Sequence, residues 1–194
     1  MRASLLATGT FAWLRIAGCI GAVVFSHAGG AMADQNDPAL GPLFEALAAS
    51  QSVAEAAGYE REIWARWLQS GDDGVDRDLA RGESAMDRGD ARAAMDAFNA
   101  VIEADPDFAE GWNKRATLHW LMGNYEQSVA DIERTLALEP RHFGALSGLS
   151  MIREAQHRPF EALEALEKVF ELHPKLPQLE QRIEHLTGQL GDPI

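Results

Sequence analysis

Cysteine is almost missing from this 194-residue chain, with Cys19 the only one. Beyond residue 33 there is no thiol, which excludes a disulfide framework, a thiolate nucleophile and a cysteine-ligated metal there. Basic residues are also scarce: 17 lysines and arginines face 30 aspartates and glutamates, a net charge of −13. Such a field repels phosphate backbones and anionic lipid, so neither is expected as a partner. No apolar run reaches the roughly 20 residues of a spanning helix, and stable membrane insertion is not expected. Gly-x-Ser-x-Gly elbows, phosphate-cradling glycine loops and dinucleotide fingerprints are absent, which leaves no cofactor to expect. His119, His142, His157, His173 and His185 include no His-Glu-x-x-His pair, so no metal is expected. Asp72, Asp73, Asp76 and Asp78 lack the glycine placement and distal glutamate of a calcium loop, and read as helix-start acids.

What is present divides the chain in two. Residues 1–33 carry Arg2 and Arg15, no acid, and apolar runs from Ala3 to Leu14 and from Ile16 to Phe25. They end in Ala31-Met32-Ala33 before the polar Asp34, the small-residue pattern of signal-peptide cleavage. Export to the periplasm or another extracytoplasmic space is expected, with a mature start at Asp34. Ile16-Ala17-Gly18-Cys19 has the outline of a lipobox, but Arg15 breaks the apolar stretch before it and an apolar run follows. Loss of the two arginines would leave a mature charge of −15.

Pro106, Pro140 and Pro174 recur at intervals of 34 residues, and Gly89 and Gly123 repeat at the same interval. A fixed period of this size is the mark of a stacked helical array. The units run 75–108, 109–142 and 143–176. In the first, Ala94, Ala97, Phe98, Val101 and Ile102 share one helical face. Gly89 and Gly123 are suited to left-handed turns, Asp90 and Asn124 to helix capping, and Gln127 to a capping box with Asn124. In the third unit His157 replaces the turn glycine and Pro159 opens the next helix, a position where proline is tolerated. Residues 34–74 hold a leader and two helices, Leu43 to Ala49 and Ser52 to Gln69, which are flanking helices or a degenerate extra unit. In 177–194, Leu179, Ile183, Leu186 and Leu190 mark a C-terminal capping helix and tail.

Trp112, Ala116, Gly123, Tyr125, Ser128 and Pro140 in the middle unit, with Gly82, Gly89, Ala94, Phe98 and Pro106 before it and Ala162, Leu166 and Pro174 after it, carry a resemblance to the tetratricopeptide-repeat family. It covers about half of the chain. The resemblance implies an all-α, right-handed α-solenoid of antiparallel helix pairs in three units, with Trp112 packed in the core. It also implies a concave groove lined by unit positions 2, 5, 9 and 12: Asp76, Leu79, Glu83 and Met86, then Glu110, Asn113, Thr117 and Trp120, then Gly144, Ser147, Met151 and Glu154.

That set holds four acids and no base. It reads as a surface for a basic, partly apolar protein or peptide segment, against the alternative of a merely solvated acidic face. Some relatives clamp a partner's terminal carboxylates with lysine, asparagine and arginine. This chain departs from them, with Leu79, Glu83, Gly144 and Gly148 at the clamp places and Lys114 the one cation nearby. The expected function is an extracytoplasmic adaptor or scaffold, with envelope assembly as one setting, rather than an enzyme. The alternatives are a hydrolase using an unrecognised carboxylate pair and a homo-oligomer associating through an uncovered end of the array.

Overall fold

The computed structural model of the protein describes residues 34–191. The expected signal peptide, its lipobox-like stretch and the last three residues lie outside the described residues. Among the described residues all regular structure is helical: α1 Leu40–Ala49, α2 Val53–Trp67, α3 Asp73–Asp87, α4 Ala91–Ala104, α5 Ala109–Leu121, α6 Tyr125–Leu138, α7 Phe143–Ala155, α8 Pro159–Leu172 and α9 Leu179–Leu190. No described helix is long and apolar enough to cross a membrane. Helices α3/α4, α5/α6 and α7/α8 pack as three hairpins stacked side by side, the all-α repeat architecture implied by the 34-residue period.

Each hairpin turns on one left-handed residue. Gly89 and Gly123 have φ of 72° and 77°. The N–H of Gly89 donates to Met86 O and that of Asp90 to Ala85 O, which satisfies the last carbonyls of α3. His157 adopts the same turn at φ 57°, a conformation costing a side-chain-bearing residue roughly 1–2 kcal/mol. Pro159 then occupies the first turn of α8, so the helix forms despite the replaced glycine. Asp90 accepts the Ala93 N–H as a cap at 3.0 Å. Asn124 stands at the start of α6 but its side chain makes no cap bond, and the expected capping box with Gln127 does not form.

Small residues set the helix spacing. A methyl on Gly82 would run into the Phe98 ring, and one on Gly111 would meet Val101 at 2.6 Å. Ser128 Oγ donates to Ala116 O at 2.7 Å and ties α6 to α5. One apolar core fills the first unit around Phe98, Val101 and Phe108. A second joins the middle and third units through Ala116, Ile132, Ala145 and Ile152.

The third core is built by the N-terminal hairpin. Helices α1 and α2 do not stack ahead of α3 as a further unit. They fold onto the third unit, where Leu40, Phe44, Leu47, Ile63 and Trp67 share a core with Phe143, Leu146, Leu166, Val169 and Leu179. Trp67 stacks on His142 with ring centres 4.2 Å apart and 9° between planes. Trp64 lies over Gly144, where a Cβ would come within 2.8 Å of its ring. Gln35 completes the docking: its side chain donates to Asp107 O at 2.6 Å and accepts the Ala109 N–H at 3.2 Å. The hairpin therefore straps the turns between units and covers the first residues of α5 and α7.

Trp112 departs from expectation. Its ring is half-buried outside the three cores; Nε1 donates to Pro106 O at 2.9 Å, and the Arg115 and Arg134 guanidinium groups lie 5.0 and 5.9 Å from the ring centre. The ring lies over the turn between the first two units, held there by the Pro106 carbonyl and the two guanidinium groups.

Candidate peptide-binding cleft

The hairpin decides which groove positions remain open. At the N-terminal ends of α5 and α7, Glu110 is only 1% exposed and Gly144 lies under Trp64. Further along the two helices a cleft of about 220 Å³ opens. Asn113, Thr117 and Trp120 of α5 form one wall, and Ser147, Gly148 and Met151 of α7 the other. Its floor is the apolar core between the units, with Ala116, Ile132 and Ile152.

Six expected groove residues therefore meet in one place: Asn113, Thr117, Trp120, Gly144, Ser147 and Met151. The others do not join them. Leu79 is buried in the first-unit core and Met86 packs against the same core. Asp76 sits at the start of α3, where it accepts the N–H and Oγ–H of Ser70, each at 2.7 Å.

The remaining acids are already engaged. Lys114 Nζ reaches Glu83 at 2.6 Å and Glu110 at 3.3 Å. Burial alone would lower the lysine's pKa, but the Glu110 charge and the hydrogen bond to Glu83 outweigh it and hold the ammonium above its ordinary range. Glu110 Oε2 also accepts Asn113 Nδ2 at 3.0 Å and lies 2.9 Å from His142 Nε2. His142 Nδ1 accepts the Ala145 N–H at 3.1 Å, which puts the ring proton of the neutral imidazole on Nε2, facing the carboxylate. Glu154 pairs with Arg182 of α9 at 2.6 Å. Three of the four expected groove acids, Glu83, Glu110 and Glu154, are thus held in ion pairs, and buried Glu110 in particular needs its partners to offset its lost hydration.

The open cleft is consequently neutral. Trp120 and Met151 supply apolar and polarisable surface, and Met151 is 40% exposed. Thr117 Oγ1 donates to Asn113 O and Ser147 Oγ to Phe143 O, which leaves oxygen lone pairs free to accept from an incoming backbone N–H. Sequence reasoning assigned no cleft role to Gly148, Ala116, Ile132 or Ile152. The signal for them is the run of small residues at Gly144, Ala145, Ser147 and Gly148 in α7, which leaves the floor uncovered.

Comparison with known proteins places this architecture. The tetratricopeptide-repeat family profile matches residues 109–142. A TPR repeat-containing protein of Rhizobium etli is 34% identical over 152 residues, covering 78% of this chain and 74% of the relative. The small glutamine-rich tetratricopeptide repeat-containing protein 2 of Saccharomyces cerevisiae is 33% identical over 92 residues, 47% of this chain and 27% of that protein. Among solved structures, the first TPR of Spaghetti (RPAP3) bound to an HSP90 peptide superposes with a TM-score of 0.58 at 20% identity, over 60% of this chain and 93% of that one. MamA gives 0.57 at 17% identity, over 70% and 84%. With a repeat unit matched from end to end and a relative alike over most of both lengths, the chain belongs to the tetratricopeptide-repeat family.

Proposed function

We propose that this protein is an exported scaffold that holds an extended segment of a partner protein in the cleft between α5 and α7. The observation that carries the reading is the cleft itself, a neutral slot with an apolar floor between two first helices of adjacent units. Structural neighbours lend support: the RPAP3 domain is bound to an HSP90 peptide and the yeast Sti1 domain forms a complex with an Hsp70 peptide. The ligand differs in kind, because Leu79, Glu83, Gly144 and Gly148 offer no cation for terminal carboxylates and Lys114 is held by Glu83 and Glu110. An apolar side chain seated against Trp120 and Met151, with backbone N–H groups on Thr117 and Ser147, fits the walls.

Peptides selected on the purified protein and titrated by calorimetry test this. Trp120→Ala and the cleft-filling Gly148→Leu should each weaken binding at least tenfold, with little change between 50 and 300 mM salt. Retained affinity in both variants would move the site elsewhere.

Export rests on the charge and small-residue pattern of residues 1–33, and an envelope role follows from it. Mass spectrometry of protein released by osmotic shock should find Asp34 at the N-terminus. A lipid on Cys19, or an intact leader in the cytoplasm, would refute it.

A further inference from the structure

A second recess lies at the far end of the solenoid. Helix α8 contributes Glu167, Phe170 and Glu171, helix α9 contributes Glu180, Ile183 and Glu184, and these six side chains line a single cleft of about 540 Å³. The two triplets have one spacing: an apolar residue, a glutamate one turn before it and a glutamate directly after it. On each helix this puts an apolar ridge between two carboxylates. Phe170 is 41% exposed, a ring left in water at the edge of a described surface that no other helix covers.

The charge here contrasts with the α5/α7 cleft. None of the four glutamates forms an ion pair with a described cation, while the basic residues on the same two helices are directed elsewhere. Lys168 pairs with Glu164 at 2.9 Å and Arg182 with Glu154 at 2.6 Å. Four uncompensated carboxylates around two apolar side chains favour a cationic, amphipathic occupant. A second copy in two-fold register would set these carboxylates against their own kind, a like-charge arrangement that costs affinity.

We infer that the α8/α9 cleft is a docking surface for an amphipathic helix of a partner protein, bearing lysine or arginine beside an apolar stripe. The slot between two helices accepts a third helix as a ridge in a groove. The apolar stripe covers Phe170 and Ile183, and the cations reach the glutamates on either side.

Two fluorescent 18-residue probes test this on the purified protein: a leucine-lysine amphipathic helix, and its twin with glutamate for lysine. Anisotropy should detect the lysine probe alone. Phe170→Ala, and separately Glu171→Gln with Glu184→Gln, should weaken it at least tenfold with circular dichroism unchanged. The control pair Glu126→Gln with Glu133→Gln, equal in charge and exposed on α6, should leave binding within twofold. Absence of binding at 200 µM, equal loss in the control pair, or equal binding of the glutamate twin would overturn the inference. Loss on Trp120→Ala would place the probe in the other cleft and overturn it too. A dimer seen in sedimentation equilibrium and dissociated by Phe170→Ala would assign the face to self-association instead.

Discussion

Trp67 and Trp112 have the same side chain, and their replacement by alanine should differ severalfold in cost. Trp67 is 1% exposed; it stacks on His142, and its ring centre lies 5.1 Å from that of Phe143, 5.3 Å from Trp64 and 5.8 Å from Phe44. Truncating a buried tryptophan costs about 3–5 kcal/mol, since the rigid neighbours relax only in part around the void. At roughly 2–4 °C per kcal/mol for a chain of this size, the midpoint should fall by about 6–20 °C. Trp112 loses only a hydrogen bond to Pro106 and two guanidinium contacts at a half-exposed site, worth about 1–2 kcal/mol together. Thermal and urea melts followed at 222 nm check both. Hydrogen exchange on Trp67→Ala should show loss of protection first in α1 and α2. A Trp112→Ala variant as unstable as Trp67→Ala would refute the assignment of the core to the docked hairpin.

Three further outcomes follow from the geometry. Gly144→Ala brings a methyl within 2.8 Å of the Trp64 ring and should release the hairpin, read as faster proteolysis at residues 50–52, whereas Gly148→Ala meets Ile132 at an ordinary 3.7 Å and should melt as the parent does. Lys114→Met strands Glu110 without its cation and should cost about 2–3 kcal/mol; adding Glu110→Gln should restore much of it, which a double-mutant cycle in urea measures. His119 is held below its ordinary pKa of 6.5 by burial, with the Arg115 charge adding to it and Asp131 opposing. The unfolded chain therefore takes up this proton more readily, so stability is full above about pH 6.5 and falls as pH drops through the folded value; His119→Gln should flatten that part of the melting-point profile.

The array was legible in the sequence because each of its signals is local or periodic. Prolines at 34-residue intervals mark the turns between units, and Gly89 and Gly123 supply the positive φ that the hairpin turns need. The apolar face of Ala94, Ala97, Phe98, Val101 and Ile102 is buried as its spacing requires. His157 is a case where local reasoning was sufficient, as the turn is kept at φ 57° and the helix starts at Pro159. Asn124 is a case where it was not, since a residue of capping type at the right place makes no bond.

The docked hairpin and the state of the groove were not legible, for one reason: both depend on contacts far apart in sequence. Gln35 meets Asp107 and Ala109, and Glu60 lies 3.4 Å from His173; no periodicity reports such pairs. The composition held a hint, because Leu40, Phe44, Leu47, Ile63, Trp64 and Trp67 carry more apolar surface than a short flanking segment needs to cover itself. Counting acids on a predicted face likewise overlooks where the cations fall. Lys114 lies between Glu83 and Glu110 only once α3 and α5 are side by side, and Arg182 reaches Glu154 only once α9 has packed against α8 at the end of the third unit. Charge read from a repeat register is therefore a statement about position. Four glutamates without a described ion pair line the α8/α9 cleft instead, where the same register places no groove at all.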